Sequence, residues 1–414
     1  MKYLILVPDG CADRPIPALG GRTPLEAAGL ENINALAKVS ETGTVKTIPD
    51  GIAPGSDAAN LSVMGFDPAV YLTGRSPLEA VSMGIKMSDT DVAFRTNLVT
   101  LDGDGDYADL IIRDHSSGDI SSEEARILME TVEEKLGGGA IRFYPGVSYR
   151  HAMIVENGRD DYVLTPPHDV LTQRAGDHLP RGEGADEIEA LMRKSHEILK
   201  DHPVNTERVR KGLRPANSIW IWGQGKKPRL SSFYEKYGIR GAVISAVDLI
   251  KGIGLCAGLD VRDIPGATGT LRTNFTGKAE GAVAEFKNGK DFVYIHVEAP
   301  DECGHQGDLE GKIESMRRID AEVFKPVHDY LKACGEPYRI LVVPDHRTPM
   351  EMRTHSAEPV PFVLFDSENP LPEDAGKAFS EQAGQKGTYY DSGHALADRF
   401  FGGGASCEAQ GGKR

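Results

Sequence analysis

Acidic and histidine residues follow three separate runs of apolar residues in this chain. Asp9 comes directly after the run at 3–8, Asp301 and His305 follow the run at 292–297, and Asp345, His346 and then His355 follow the run at 340–344. Carboxylate and imidazole groups are ligands that Zn²⁺ and Mn²⁺ accept. A lone Asp or His more often forms a turn or satisfies a buried hydrogen bond, but six of them in this arrangement favour a site for two metal ions.

The apolar runs predict where these residues lie. Short continuous apolar segments bounded by Pro or Gly are typical of strands that are buried on both faces of a parallel sheet. In an open parallel sheet, ligands bind beyond the carboxyl ends of the strands. We therefore expect the acidic and histidine residues to meet at one edge of a sheet, although they are far apart in the sequence.

Ser56 is the candidate nucleophile. It follows the turn-forming pair Pro54-Gly55, and apolar residues then recur at helical spacing as far as Met64. The sequence predicts that Ser56 occupies the N-cap of this helix, where the helix dipole and free N–H groups favour an alkoxide or a phosphoryl group. Serine is also a common N-cap without any reactivity, but coordination to a metal ion activates a hydroxyl as a nucleophile.

The composition favours a soluble enzyme. The chain of 414 residues exceeds one typical domain, so two domains are expected. Its net charge of −15 argues against a nucleic-acid partner, whereas an anionic substrate fits, because divalent ions supply positive charge locally. Five scattered cysteines indicate a reducing compartment. The early Asp9 argues against a signal peptide and no run is long enough for a membrane span, so we expect a cytoplasmic protein; the oligomeric state is left open.

Strand and helix patterns alternate along the chain, which favours an α/β fold with a largely parallel sheet flanked by helices. Residues 1–94 and 213–401 carry all the candidate metal ligands and are expected to form one discontinuous core. The segment 95–212 has helical patterns of its own and is interpreted as an inserted α+β lid domain that binds substrate. The Gly-rich residues 402–414 are expected to be disordered.

The motifs occur in an order that resembles a known family. The set resembles the alkaline phosphatase superfamily of metalloenzymes, and nearly the whole length is similar to its archaeal-type cofactor-independent phosphoglycerate mutase family, including a bacterial subgroup. The residues that carry the resemblance are Asp9-Gly10, Gly55-Ser56-Asp57, 301–305, Asp345-His346 and 355–361, with further matches at 21–28, 92–95, 146–151 and 241–246.

The resemblance implies an alkaline-phosphatase-like core and a division of the ligands between two ions. Asp301, His305 and His355 would hold one ion, and Asp9, Ser56, Asp345 and His346 would hold the other. The ions would be Mn²⁺ or Zn²⁺, with Mg²⁺ as a further option, and no bisphosphoglycerate would be needed. The implied reaction interconverts 3-phosphoglycerate and 2-phosphoglycerate, small phosphorylated carboxylates, through a phosphoserine at Ser56.

Four cationic residues are candidates for substrate binding: His115, Arg150 and His151 in the predicted lid, and Lys278 in the core. Such groups hold carboxylates and phosphates, although each is equally compatible with an ordinary surface charge.

One segment of the predicted lid departs from the family pattern. Archaeal mutases of the family carry a D-R-R-A-G-R-like segment where this chain has Asp-His-Ser-Ser-Gly-Asp at 114–119. This form is similar to a bacterial subgroup proposed to phosphorylate homoserine. A homoserine kinase-like phosphotransferase and a metal-dependent phosphatase or phosphodiesterase are therefore the alternatives. A non-catalytic metal-binding module is disfavoured by Ser56 among the ligands. The mutase interpretation is preferred because the resemblance extends over the whole chain.

Overall fold

The computed structural model describes residues 1–373 and 378–402. The chain divides into two compact units. The first unit consists of Met1–Leu72 and Leu230–Arg414, and the second unit consists of Thr73–Arg229. Of the predicted tail 402–414, only Gly402 is described; it ends the last helix in a left-handed conformation, with φ of 78°. The rest of that prediction lies outside the described residues.

The strands of the described chain are numbered in chain order. They are β1 (Lys2–Pro8), β2 (Glu41–Val45), β3 (Val92–Asp102), β4 (Ile111–Asp114), β5 (Ile141–Val147), β6 (Arg150–Val155), β7 (Ser218–Lys226), β8 (Gly241–Ile244), β9 (Asp260–Val261), β10 (Phe292–Val297), β11 (Tyr338–Val342), β12 (Val360–Asp366) and β13 (Thr388–Tyr390).

The α-helices are numbered in the same way. They are α1 (Pro24–Ala28), α2 (Glu31–Ala37), α3 (Ser56–Val63), α4 (Pro68–Tyr71), α5 (Ser76–Ser82), α6 (Ser122–Leu136), α7 (Ala185–Leu199), α8 (Pro203–Arg210), α9 (Phe233–Tyr237), α10 (Asp248–Cys256), α11 (Phe275–Lys287), α12 (Ala299–Gln306), α13 (Leu309–Arg318), α14 (Lys325–Ala333), α15 (Glu381–Gly384) and α16 (Gly393–Phe401). A π-helical segment, Ile319–Phe324, joins α13 to α14, and short 3₁₀ helices lie at Pro17–Leu19, Tyr107–Asp109, Pro167–Asp169 and Ala175–His178.

The first unit contains a largely parallel sheet of eight strands in the order β13-β2-β12-β11-β1-β10-β8-β9. Strand β1 runs parallel to both of its neighbours, β10 and β11, and β10 runs parallel to β8. Only β12 is antiparallel to the strands beside it, β11 and β2. The prediction of an α/β fold with a largely parallel sheet is confirmed.

The apolar character of β1 follows from its burial on both faces. Leu4 and Leu6 belong to a buried cluster with Leu25 of α1 and Phe286 of α11. On the other face, the ring of Tyr3 lies 5.6 Å from that of Phe400 in α16. A strand covered by helices on both faces has no solvent-facing position, so its sequence is a continuous apolar run.

The second unit contains a five-stranded antiparallel sheet. Its long central strand β3 pairs with β4, β6 and β7, and β5 pairs with β6. Helices α6 and α7 occur where the sequence has helical patterns, and Ser121 caps α6 by accepting a hydrogen bond from the Glu124 N–H. The unit has its own buried core, which includes Phe94, Met129 and Trp220.

The boundaries of the inserted segment differ from the predicted ones. The sequence placed them at 94/95 and 212/213, whereas the structure divides the chain at 72/73 and 229/230. The physical reason is that β3 pairs along its length with β7, from Val92–Lys226 to Val99–Ser218. A division at 94/95 would cut through β3, so both strands and α5 belong to the second unit.

Within residues 1–373 and 378–402, we find no helix whose length and apolar character suffice to cross a bilayer.

The packing around β10 gives a first prediction. Phe292 is completely buried and stacks on Phe233 at 5.1 Å between ring centroids, so Phe292→Ala leaves a cavity and is expected to lower the free energy of unfolding by about 3–5 kcal/mol. Urea unfolding followed by circular dichroism measures this change. Val70→Ala is the control, because that side chain is 67% exposed and its loss should cost less than about 0.5 kcal/mol. Equal unfolding midpoints for the two variants would contradict the described core.

Candidate metal centre

The register of three neighbouring strands brings the candidate ligands to one edge of the sheet. Pro8 at the end of β1 pairs with Val297 at the end of β10, and Leu6 pairs with Val342 at the end of β11. The next residues along each chain segment include Asp9 and Asp345, and the Gly10 N–H donates to Asp345 Oδ1 at 3.2 Å. The carboxyl ends of these parallel strands thus converge as the sequence predicts.

Asp9, Asp345 and His346 form one group of potential ligands, with one donor atom from each within 4.8 Å of the others. His346 Nε2 lies 3.6 Å from Asp9 Oδ1 and 3.4 Å from Asp345 Oδ2. The hydroxyl of Ser56 is 3.0 Å from the same His346 nitrogen. All four residues that the resemblance assigns to one ion are therefore close together.

Asp301, His346 and His355 form a second group that meets the same distance limit. His355 Nε2 lies 3.4 Å from Asp301 Oδ1. His305, one helical turn after Asp301 on α12, places Nε2 3.1 Å from Asp301 Oδ2 and 3.0 Å from His355 Nε2. Its other nitrogen, Nδ1, is 3.0 Å from the carbonyl of Arg353, which leaves Nε2 available as a metal donor.

Ser56 does not occupy the predicted N-cap position. Gly55 is the N-cap, in an extended conformation with φ of −173° and ψ of 156°, and Ser56 is the first residue of α3. Gly55 makes no side-chain cap, and the Ser56 hydroxyl lies 3.0 Å from His346 Nε2. The prediction was wrong by one residue, but the hydroxyl still lies at the amino terminus of the helix.

The buried acidic groups of this site fit a bound cation. Asp9, Asp301 and Asp345 are each at most 6% exposed. Burial, and then the nearby Asp345, raise the pKa of Asp9 well above its usual value. Among the described residues, no group donates a hydrogen bond to Asp9 Oδ1. A buried carboxylate oxygen without a donor is costly unless a cation binds it, so this oxygen fits a metal ligand.

The donor atoms also define the kind of ion. The candidate ligands are carboxylates, imidazoles and one hydroxyl, which are borderline to hard donors. Burial alone would raise the pKa of Asp301, but hydrogen bonds from His305 and His355 hold it well below the ordinary value, so this carboxylate is ionised. The residues therefore fit two divalent ions of the Mn²⁺, Zn²⁺ or Mg²⁺ type.

Several residues that organise the site were not predicted. Asn60 donates from Nδ2 to Asp345 Oδ2 and to the Ser56 carbonyl, both at 2.8 Å. The Tyr294 hydroxyl donates to Asn60 Oδ1 at 2.5 Å. Asn60 lies four residues after Ser56, one helical turn away, and that spacing was a signal that could have identified it. Tyr294 lies within an apolar run, and its sequence context gives no comparable signal.

Lys278 is completely buried in the first unit. Its ammonium group donates to the carbonyl of His296, in β10, at 2.8 Å. Burial lowers the pKa of Lys278 to about 8, and Glu298 opposes this shift. Lys278 is therefore a buried cation next to the strand that leads to Asp301.

The other candidate substrate residues lie in the second unit. The His115 ring lies 5.6 Å from Tyr149 and 6.0 Å from His168, and the exposed Arg150 places its guanidinium 5.8 Å from the Tyr149 ring. His151 is buried, and its Nδ1 accepts a hydrogen bond from the Gly146 N–H of β5 at 3.0 Å. Burial lowers the pKa of His151 to about 3, so its ring is neutral.

The loop that carries His115 is held by the carboxylate before it. Asp114 accepts hydrogen bonds from the Ser116 N–H and hydroxyl and from the Gly118 N–H. Arg214 donates to the same carboxylate at 2.6 Å. Residues 117–119 all have positive φ, between 50° and 68°, a tight left-handed turn that these hydrogen bonds stabilise. His115 is thus presented from a fixed loop.

The fold and the donor set define an α/β protein with a candidate two-metal centre, and comparison with known proteins identifies the family. The model of the 2,3-bisphosphoglycerate-independent phosphoglycerate mutase family matches residues 37–205. A protein of this name from Methanothrix thermoacetophila is 48% identical over 389 residues, which cover 94% of this chain and 96% of the relative. The chain belongs to the 2,3-bisphosphoglycerate-independent phosphoglycerate mutase family.

Two solved structures have a similar fold. The structure of a Pyrococcus horikoshii protein has a TM-score of 0.81 and 29% identity, and the match covers 99% of both chains. The cofactor-independent phosphoglycerate mutase of Thermoplasma acidophilum has a TM-score of 0.66 and 27% identity, and covers 97% of this chain and 99% of its own. The resemblance found in the sequence is confirmed.

The protonation of the site predicts how metal binding depends on pH. The hydrogen bond to Asp301 raises the pKa of His305 to about 9, so in the metal-free protein this ring is protonated at neutral pH and must lose its proton to bind a metal. The raised pKa of Asp9 acts in the same direction. Mn²⁺ affinity should therefore rise by up to about tenfold per pH unit and level off above the pKa of His305.

Mn²⁺ titrations at several pH values measure this slope. The His305→Asn variant has no imidazole proton at this position, and its slope should be shallower than that of the wild type. The same slope in both proteins would contradict the assignment of His305.

Proposed function

We propose that this protein is a 2,3-bisphosphoglycerate-independent phosphoglycerate mutase that transfers the phosphoryl group through Ser56. The observation that carries the proposal is the position of the Ser56 hydroxyl, 3.0 Å from His346 Nε2. A serine at the start of a helix and next to two groups of candidate metal ligands combines a nucleophile with a site for the negative charge of a phosphoryl group.

The ligands are proposed to divide as the family resemblance implies. One ion would be held by Asp301, His305 and His355, and the other by Asp9, Ser56, Asp345 and His346. The distances within each set are short, and His346 lies close to both sets. Two divalent ions, when bound, would lower the pKa of a hydroxyl and neutralise the charge of the phosphoryl group in transfer.

The proposed transfer takes place in two steps. The Ser56 Oγ forms a bond to phosphorus as the bond from phosphorus to O3 of 3-phosphoglycerate breaks. The Ser56 proton passes to O3, and the glycerate is retained. A bond then forms between its O2 and phosphorus as the bond from phosphorus to Ser56 Oγ breaks, and the O2 proton returns to Ser56. Asn60 holds both the Ser56 carbonyl and Asp345, and so fixes the helix start that carries the nucleophile.

The phosphoserine must be protected from water, because its hydrolysis would make the enzyme a phosphatase. We propose that the second unit acts as the lid that excludes water and binds the retained substrate. The charged Arg150 suits the substrate carboxylate, whereas the neutral ring of His151 suits a hydrogen bond. His115 is proposed to lie near the migrating group, and Lys278 to add positive charge from the first unit.

We propose the cytoplasm as the location of this enzyme. Phosphoglycerates are small anionic metabolites, and the thiols of Cys11 and Cys303 are not paired in disulfides. Free thiols are typical of a reducing compartment.

Removal of the nucleophile tests the proposal directly. Ser56→Ala should lower the formation of 2-phosphoglycerate by roughly 10³-fold or more, since the covalent acceptor is lost. Intact-mass measurement after addition of substrate should show one added phosphoryl group on the wild type and none on the variant. Ser62→Ala is the matched control, because Ser62 is a buried serine on the same helix. Wild-type turnover by the Ser56→Ala variant would favour transfer without a phosphoserine.

The substrate is tested by separate mixtures. With 3-phosphoglycerate alone, the wild type should form 2-phosphoglycerate and release little inorganic phosphate, because the lid excludes water. Release of phosphate as the main reaction would indicate a phosphatase. Reaction only in a mixture of homoserine and a phosphate donor would indicate the kinase alternative, and the assignment of Ser56 would survive in that case.

A further inference from the structure

We propose that Thr348 is a positioning residue that fixes the tautomer of His346 and connects the two groups of metal ligands. The inference rests on the proposed two-metal function and extends it to a residue that binds no metal itself. Thr348 follows His346 by two residues, and its side chain is completely buried.

The Thr348 hydroxyl contacts a ligand from each proposed ion site. It donates a hydrogen bond to Asp301 Oδ1, and it lies 3.3 Å from His346 Nδ1. Asp301 belongs to the set with His305 and His355, whereas His346 Nε2 faces Ser56, Asp9 and Asp345. One hydroxyl therefore connects the two sets.

The direction of these hydrogen bonds determines where the proton of His346 lies. A hydroxyl has one proton, and an ionised carboxylate only accepts, so the Thr348 proton points to Asp301. Towards His346, the Thr348 oxygen can then only accept, which requires a proton on Nδ1. In the neutral ring, Nε2 then carries the lone pair. Nε2 is the nitrogen that faces Ser56, so its lone pair is available to bind a metal ion there.

The backbone of Thr348 is held firmly by buried groups. Its N–H donates to the carbonyl of Ala12 at 3.2 Å. The Lys312 ammonium donates to the Thr348 carbonyl at 2.7 Å and to Asp13 Oδ2 at 2.9 Å. Lys312 and Asp13 are almost completely buried. These contacts join the loop after Asp345 to the segment after Asp9.

Gly10 makes room for the same hydroxyl. Its φ is +60°, and a Cβ atom at this position would lie 2.5 Å from Thr348 Oγ1 and 2.6 Å from Asp301 Oδ1. No side chain fits there, so the backbone after Asp9 approaches the Thr348–Asp301 hydrogen bond directly. The residues behind the centre are therefore arranged around the hydroxyl of Thr348.

The test measures metal binding without turnover. Thr348→Val keeps the shape of the side chain and removes the hydroxyl, and it should weaken the binding of at least one Mn²⁺ by about 10–100-fold. Thr348→Ser retains the hydroxyl and should bind both ions nearly as the wild type does. Thr100→Val is the matched control, since the buried Thr100 hydroxyl donates to the Pro215 carbonyl in the second unit. Bound Mn²⁺ is obtained from the electron paramagnetic resonance signal of the free ion.

The outcomes separate this inference from the proposed function. Two ions bound by the wild type and bound equally well by Thr348→Val would overturn the role of Thr348 and leave the metal centre intact. A wild type that binds neither ion would overturn the metal centre and the inference together.

A second measurement holds even if the valine variant does not fold. Nitrogen NMR of the metal-free wild type with ¹⁵N-labelled histidine reports which ring nitrogen of His346 carries the proton, and the His346→Gln spectrum identifies the signal. A proton on Nδ1 supports the inference, and a neutral ring with its proton on Nε2 overturns it.

Discussion

The burial of three carboxylates at one edge of the sheet is the constraint on which the rest of the site depends. Asp9, Asp301 and Asp345 are almost inaccessible to water. The burial of one unpaired carboxylate destabilises a protein by roughly several kcal/mol. Hydrogen bonds offset the cost of this burial only in part. Asp345 accepts hydrogen bonds from Gly10, His346 and Asn60. Asp9 Oδ1, in contrast, has no hydrogen-bond donor among the described residues. A pair of bound divalent cations would neutralise the negative charge that these hydrogen bonds leave uncompensated.

The sheet makes this arrangement possible because its central strand is flanked by parallel neighbours on both sides. With β10 and β11 in register with β1, the segments that leave the three strands emerge at the same edge. Burial of apolar residues on both faces stabilises the central strand, in which Leu4 to Val7 have no exposure. The carboxylates Asp9, Asp301 and Asp345 all lie after the strands, whereas β10 also contributes Tyr294 to the site from within the strand.

The sequence predicted these features because each one is encoded locally. An apolar run followed by an Asp or His identifies both the strand and the donor, as at Asp9 and at Asp345. Features that depend on tertiary contacts were missed or misplaced. The pairing of β3 with β7 spans more than a hundred residues, so its consequence for the unit boundaries could not be predicted from local patterns. The role of Thr348 likewise depends on a contact with Asp301, from another strand end.

The same reasoning bears on the choice between phosphoglycerate and homoserine. The alternative arose because residues 114–119 are Asp-His-Ser-Ser-Gly-Asp, where archaeal mutases carry a D-R-R-A-G-R-like segment, and this form is similar to a bacterial subgroup proposed to phosphorylate homoserine. The structure shows that the Asp114 carboxylate already accepts from Ser116, Gly118 and Arg214, and although burial alone would raise its pKa, these bonds hold it below the usual value. A carboxylate occupied by its own loop and by an arginine has little capacity left for a substrate ammonium. The Asp114 carboxylate therefore serves the loop that presents His115, and it does not support an amino-acid substrate.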